Sequence, residues 1–278
     1  MILSFGTGAP SGALTLPIAL TVTSALALLA YLLTAAVPSS QRNMRAALIA
    51  GWFAHAAAIV VDIAGLGAPW VGARFGFAPA MSVTGWLVLA IYLIESRFVP
   101  IAVARRSLAL LGAGVVVVAW LFPGEIRPHL ASRWAPLHWV LGIASYGLFG
   151  AAVLHAGLLS RTEGLMRKRS GAAPVAAGLP LLQLERLTFR FVSAGFVLLT
   201  AALILGVAYA DPWRWDHKAV FSVLGWLVFA GLLVGRRTLG WRGRLATRWV
   251  YVGAAILLLG YVGSRFVLEV VLHRGGAA

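Results

Sequence analysis

The hydrophobic stretch FRFVSAGFVLLTAALILGVAY, at residues 189–209, decides the class of fold. Arg190 is its only charged residue, and a transmembrane helix needs about 20 mostly apolar residues to cross the hydrocarbon core. With seven similar stretches, the predicted spans are 13–37, 46–66, 80–95, 107–122, 136–160, 189–209, 218–234 and 247–272. The sequence therefore predicts an all-α, polytopic membrane protein with about eight transmembrane helices, built as one integral-membrane domain over residues 1–278.

The composition of the 278-residue chain excludes the other broad classes. Hydrophobic residues make up 61% and charged residues 11%, whereas a soluble domain carries about 25% charged residues. Too few polar side chains are present to cover a soluble globule, and the hydrophobicity is too high for a disordered chain. Cysteine is absent, which removes disulfides and thiolate ligands.

The net charge of +15 is explained by membrane topology. If the N-terminus lies outside, 16 of the 23 Lys and Arg residues fall on the inner side and 7 on the outer side. Inner loops of membrane proteins are enriched in these residues, so we expect both termini outside (periplasmic). The basic residues are then also expected to attract anionic membrane lipid, and no nucleic acid partner is expected. No basic residue precedes Arg42, so the first span is not expected to be a cleaved signal peptide.

The sequence WRWDHK at residues 213–218 is a polar and aromatic element just before the seventh span. One interpretation is an interfacial belt of Trp residues, which is common in membrane proteins. The other is a flat platform on which a planar, apolar ligand stacks. Arg214 and Lys218 would then pair with carboxylates of that ligand.

Three histidines are candidate ligands. His138 opens the fifth span and His273 closes the eighth. The topology therefore brings both to the level of the sequence WRWDHK, which we call the Trp element. Two neutral imidazoles there could supply axial nitrogens to a haem iron, although a lone interfacial His can also be a simple polar residue. His55 lies near the middle of the second span. It is interpreted either as part of a second ligand site or as a hydrogen bond between helices.

Other polar residues are assigned structural roles. His155 is expected at the inner interface, and Glu95 is expected to form a salt bridge with the nearby Arg97. The H-E-x-x-H, G-x-S-x-G and P-loop signatures are absent from the sequence, so a stand-alone catalyst is not expected.

The Trp element resembles the tryptophan-rich motif of the cytochrome c assembly superfamily, whose members include CcsA, CcmC, CcmF and HemX-type proteins. In the CcsA type this motif reads W-G-x-x-W-x-W-D-P-K-E-x-W. Its core is kept here as Trp213, Trp215, Asp216 and Lys218. The remaining positions differ, with Tyr209 and Ala210 for W-G, His217 for Pro, Ala219 for Glu and Phe221 for the last Trp.

The resemblance is strongest over residues 136–274, and the most similar branch is the eight-span YpjD type of the inner membrane. The elements that carry it are the run 136–146 with His138, the sequences GWRGR at 240–244 and GSRF at 263–266, His273, His55 and LER at 184–186. It implies a protein of the bacterial cytoplasmic (inner) membrane that handles haem b without a covalent bond. The CcsA-type His in the inner loop after the seventh span is replaced by Gly235-Arg236-Arg237.

In this interpretation His138 and His273 ligate haem iron over Trp213 and Trp215, and Asp216 orients a neighbouring group. Candidates for pairing with the haem propionates are Arg133, Arg214 and Lys218. An apocytochrome c and a CcsB-like protein are the implied partners. The alternative is a non-catalytic regulator or accessory subunit, similar to HemX and YpjD proteins, that binds another protein through the basic inner loop 161–190. A quinone or lipid-like ligand in the same pocket is a third hypothesis.

Overall fold

The computed structural model describes residues 18–37, 40–65, 73–97, 102–127, 134–168, 181–209 and 215–267 of the chain. Its long helices are α1 Ile18–Ala36, α2 Gln41–Ala64, α3 Phe77–Glu95, α4 Ala102–Leu121, α5 Ala135–Lys168, α6 Leu181–Tyr209, α7 His217–Thr238 and α8 Gly243–Leu258. After α8 the chain continues through a π-helical turn, Leu259–Gly263, into the short helix α9, Ser264–Phe266. Two short strands, β1 Ala73–Phe75 and β2 Glu125–Arg127, complete the described elements.

All eight long helices are apolar and long enough to cross a membrane, which confirms the prediction of an all-α, multi-pass membrane protein. Each predicted span overlaps one helix. Helix α5 is longer than its span because it runs on to Lys168. Hydropathy marks where a helix leaves the membrane, but residues such as Arg161 and Met166 favour helix in water as well. The orientation of the termini stays a prediction.

The ribbon of β1 and β2 was not predicted from the sequence. The strands pair antiparallel, with Ala73 opposite Arg127 and Phe75 opposite Glu125. They lie in the connections α2–α3 and α4–α5, which the sequence indicated only as loops. The ribbon therefore ties together two connections at the same end of the helices.

Side-chain contacts bring the other connections to this end as well. His138 of α5 contacts α6 near its end, Lys218 of α7 lies over Tyr261, and Phe266 packs edge-on against Phe77 of α3, with ring centroids 5.5 Å apart. We call this the motif end of the protein: α3, α5 and α7 begin there, and α2, α4 and α6 end there.

The helices form two groups. The core of the first is built mainly by α1 to α4, with Tyr31, Leu48, Leu89 and Leu108, and it also takes in Leu158 and Leu159 of α5 and Leu184 of α6. In the second, α5 to α8 bury a core that contains stacked Phe149 and Phe229, with ring centroids 4.0 Å apart.

The two groups join where α3 packs against α5. Glycines of α5 allow this approach, since a Cβ atom at Gly150 would lie 2.6 Å from Val88 and one at Gly147 would lie 2.9 Å from Leu87. The outward faces of the helices carry large exposed apolar side chains, such as Leu26, Val197 and Ile204. Such faces are suited to lipid rather than to water.

Candidate functional site

His138 lies in the first turn of α5, at the motif end, and is held by the neighbouring helix α6. Its Nδ1 atom is 2.9 Å from the backbone carbonyl oxygen of Ala202. A carbonyl oxygen only accepts hydrogen bonds, so Nδ1 carries the hydrogen. The neutral ring then has its lone pair on Nε2, which is the nitrogen that a metal would use.

Gly206 leaves the space that the His138 ring occupies. It follows Ala202 by one helical turn, so both residues lie on the same face of α6. A Cβ atom at Gly206 would lie 3.1 Å from Cε1 and 3.4 Å from Nδ1 of His138. The ring is therefore positioned by the backbone carbonyl of Ala202 and by the missing side chain of Gly206. Neither residue has a polar side chain that would mark it in the sequence.

The Trp element leads directly into α7. Asp216 is the N-cap residue of this helix, and its Oδ1 atom accepts a hydrogen bond of 2.8 Å from the backbone N–H of Ala219. This is the usual contact of an Asp N-cap, and it satisfies one of the unpaired donors of the first turn. Trp215, the residue before the cap, has 69% of its surface exposed. A ligand can therefore reach the Trp215 indole, whereas Asp216 supports the start of the helix.

The start of α7 packs against the π-helical turn that follows α8. The Nζ atom of Lys218 lies 5.9 Å from the centroid of the Tyr261 ring. Phe221 takes the position of the last Trp in the family motif, and a Cβ atom at Gly260 would lie 2.6 Å from its Cβ. Single π-helical turns occur frequently at functional sites, and this one adjoins the predicted platform.

Several predicted site residues lie outside the described part of the chain. These are Trp213, Arg214, Arg133 and His273. Their roles stay predictions, as do the propionate contacts of Lys218 and the stacking on Trp215.

His55 lies in the first group of helices, where it joins three of them. The distance from Nδ1 to the hydroxyl oxygen of Tyr31 is 3.1 Å, and the distance from Nε2 to Oγ of Ser82 is 2.8 Å. The His55 side chain is 1% exposed. The interhelical hydrogen bond considered from the sequence is thus formed on both sides of the ring.

Asp62 lies about two turns from His55 on the same helix and pairs with Arg74 of β1. The Oδ1 atom of Asp62 is 3.1 Å from Nη1 of Arg74, and both residues are buried. Burial of an unpaired Arg side chain costs free energy. The contact with Asp62 therefore explains how Arg74 of the ribbon can be buried. This pair was not predicted from the sequence, because the two residues belong to different elements.

Glu95 faces His155 rather than the expected Arg97. Its Oε2 atom lies 3.1 Å from Nε2 of His155, and Nδ1 of His155 donates a hydrogen bond of 2.8 Å to the carbonyl oxygen of Ala151. Arg97 lies two residues beyond Glu95, where α3 ends. His155 is fully buried between helices and contacts Glu95, the last residue of α3, and its place at the inner membrane interface stays a prediction.

Two sequence elements that carried the resemblance meet at the opposite end of the bundle. Gly240 and Gly243 have φ angles of +65° and +54°, which only glycine adopts at little cost. Between them, Arg242 points its Nε atom towards Oε1 of Glu185, at 3.5 Å, and Arg236 contacts the same oxygen at 3.4 Å. The GWRG turn and the LER element thus form one structural junction between α6, α7 and α8.

The sequence matches the family described as Cytochrome C assembly protein over residues 19–272. This chain belongs to that family. Curated relatives include the cytochrome c biogenesis protein CcsA of Prochlorococcus marinus, 25% identical over 226 residues that make up 69% of this chain and 71% of the relative. CcsA of Synechococcus elongatus is 26% identical over 257 residues, 71% of this chain and 78% of the relative. CcsA of another P. marinus strain is 36% identical over 99 residues, 34% of this chain and 31% of the relative.

Proposed function

We propose that this protein binds haem b non-covalently at its motif end and handles it during cytochrome c biogenesis, in the bacterial cytoplasmic membrane. The iron ligands in this proposal are His138 and His273. The observation that carries it is the hydrogen bond from Nδ1 of His138 to the carbonyl oxygen of Ala202. Histidines that ligate a metal almost always donate their other N–H in this way.

The chemistry of the surrounding residues fits haem. When bound, haem b would supply an iron that imidazole nitrogens can hold, here those of His138 and His273. His138 presents Nε2 in a fixed orientation, and the exposed indole of Trp215 offers a flat apolar surface. Lys218, three residues after Trp215, supplies a positive charge near the Tyr261 ring, suited to a carboxylate. Asp216 keeps the platform in place by capping α7. No catalytic residue is proposed, because these groups bind and orient a ligand.

His55 fits the role of an iron ligand poorly. Ligation would take one of its ring nitrogens away from Tyr31 or from Ser82. A buried hydroxyl that loses its partner costs about 1–3 kcal/mol. The nearby cavity leaves only about 20 Å³ open to the centre of a water molecule. We therefore assign the haem site to the motif end alone.

The test is the absorption spectrum of the purified full-length protein in lipid nanodiscs, during titration with haem b. The expected result is a Soret band typical of two histidine ligands in the wild type. His138→Ala and His273→Ala are each expected to abolish this spectrum. His129→Ala is the matched control, because His129 is not one of the two proposed ligands. An unchanged bis-histidine spectrum in both ligand variants would refute the assignment.

The partners follow from the same proposal. An apocytochrome c would receive the haem, and a CcsB-like protein would assist. Co-purification of such a partner with wild-type protein, but not with His138→Ala, would support delivery of haem. The accessory or regulatory alternative would instead be supported if a partner protein co-purified equally with the wild type and with both histidine variants, and the wild type showed no haem spectrum.

A further inference from the structure

A small cavity with a few polar groups in a mostly apolar wall lies between the helices of the first group. Its walls include Ser24 of α1, His55 and Asp62 of α2, and Ser82 of α3. Each of these four side chains is more than nine-tenths buried. The remaining wall is mostly apolar and includes Val116 and Trp120 of α4. Four polar groups therefore converge on one small space within the membrane-spanning part of the protein.

Three of these groups have hydrogen-bonding capacity that the protein does not use. Within the described residues, the Ser24 hydroxyl has no hydrogen-bond partner, although it is 6% exposed. The Oδ1 atom of Asp62 is taken by Arg74, and its second oxygen accepts no bond from the residues described. Buried polar groups are nearly always satisfied, either by protein or by ordered water. The cavity is thus built for a small ligand that both donates and accepts hydrogen bonds.

The hydrogen bond between His55 and Ser82 indicates whether such a ligand donates a hydrogen bond to Ser82 or accepts one from it. If the Tyr31 hydroxyl donates to Nδ1 of His55, then Nε2 carries the hydrogen and donates to Oγ of Ser82. The hydroxyl hydrogen of Ser82 then needs an acceptor, and the described protein atoms offer none. A ligand in the cavity that accepts this hydrogen and donates to Asp62 completes every bond.

The volume of the cavity is compatible with one water molecule. About 20 Å³ is open to the centre of a water molecule, and one water needs about 10–15 Å³ by this measure. Buried waters typically make about three hydrogen bonds, the number that Ser24, Ser82 and Asp62 offer. We propose that this cavity is a binding site for one water molecule, which links Asp62 to Ser82.

With this water the polar groups form one chain. It runs from Arg74 and Asp62 at the motif end, through the water and Ser82, to His55 and Tyr31 near the middle of the bundle. Observed hydrogen bonds join Arg74 to Asp62, and Ser82 through His55 to Tyr31; the proposed water would join these two halves. The completed chain would give His55 a route of proton exchange with the motif end, through side chains that the proposed haem site does not include. Arg74 and Tyr31 are the other charged or titratable groups in it.

The test measures hydrogen–deuterium exchange at the Cε1 carbon of each histidine by mass spectrometry, on the full-length protein in nanodiscs. This exchange requires access of water to the imidazole ring. We expect His55 to exchange clearly faster than His155, which is equally buried but is not among the residues that line this cavity. Equal, undetectable exchange at both histidines would overturn the proposal.

Variants then test the route itself. Ser24→Val fills the cavity and removes one bond to the water, and it is expected to slow exchange at His55 about tenfold. Thr34→Val is the matched control on the same helix, because Thr34 is buried and bonds only its own helix; it should leave the rate unchanged. If Ser24→Val does not fold, Ser82→Ala gives a second measurement with the same expected slowing. Unchanged exchange at His55 in a folded cavity variant would overturn the route.

Discussion

Replacement of Gly206 by Ala tests whether the bare backbone of α6 positions His138. The added Cβ would lie 3.1 Å from Cε1 of His138, whereas ordinary contacts lie at 3.4–4 Å. The ring must therefore retreat from α6 by a few tenths of an ångström. Its hydrogen bond to Ala202 is now 2.9 Å and would approach the length at which such bonds lose most of their strength.

The expected consequence is a loss of haem affinity of about tenfold, the lower end of the effect of disturbing a residue that orients a metal ligand. Tenfold corresponds to about 1.4 kcal/mol. The assay is titration of the purified protein with haem, followed by the Soret band. A shift in the Soret band of the haem-bound variant would show that the geometry of the iron ligands has changed. A lower overall stability of the protein would not cause such a shift.

Gly231→Ala is the matched control. Gly231 lies inside α7, and a Cβ atom there would meet nothing within 4 Å. The change should raise helix stability by up to about 1 kcal/mol and leave haem affinity unchanged. Equal haem affinity of Gly206→Ala and Gly231→Ala would show that Gly206 does not position His138.

Two further predictions separate the roles of neighbouring residues in the Trp element. Asp216→Ala removes the cap of α7 and should lower the free energy of unfolding by about 1 kcal/mol, as measured by thermal or denaturant unfolding, whereas Asp216→Ser should restore most of it. Trp215→Ala should leave stability within about 0.5 kcal/mol, because the side chain is exposed and exposed sites tolerate substitution, but it should weaken haem binding. Equal effects of Trp215→Ala and Asp216→Ala on stability would contradict this division.

Hydrophobicity was sufficient to predict the eight helices because the membrane requires long apolar segments with satisfied backbone groups. Hydrophobicity could not predict where α5 ends or where α6 begins. Helix α5 continues to Lys168, and α6 begins at Leu181, in polar sequence where no membrane sets the length. The ribbon of β1 and β2 was also out of reach, since its pairing joins residues 73–75 to residues 125–127.

The candidate site was predictable only in part, for a related reason. His138 was found because an ionisable residue at a span end is unusual. Its partners are a carbonyl oxygen and a glycine, Ala202 and Gly206, and both are indistinguishable from any other apolar helix residue in the sequence. The same holds for His55, whose partners Tyr31 and Ser82 come from two other helices. Tertiary contacts of this kind leave no periodic signal.

The structure also explains what the departures from the family motif change. The CcsA-type sequence W-D-P-K-E places Asp at the N-cap, Pro at the first helical position and Glu at the third, as judged from the start of α7 at His217. Pro is favoured at that first position, and an acid at the third completes a reciprocal capping box. His217 and Ala219 therefore alter how α7 begins, while Trp215 and Lys218 keep the groups that would face a ligand.

This interpretation predicts that Ala219→Glu stabilises the protein without improving haem binding. The carboxylate would reach back to the backbone N–H of Asp216 and complete the capping box, and it would also lie favourably at the helix N-terminus. The expected gain is about 0.5–1 kcal/mol in the free energy of unfolding, with haem affinity within twofold of wild type. Lys218 is left untouched, so its charge beside Tyr261 remains the same in both proteins. A large gain in haem affinity without a gain in stability would show instead that the family's Glu belongs to the ligand site and that its loss here has a functional consequence.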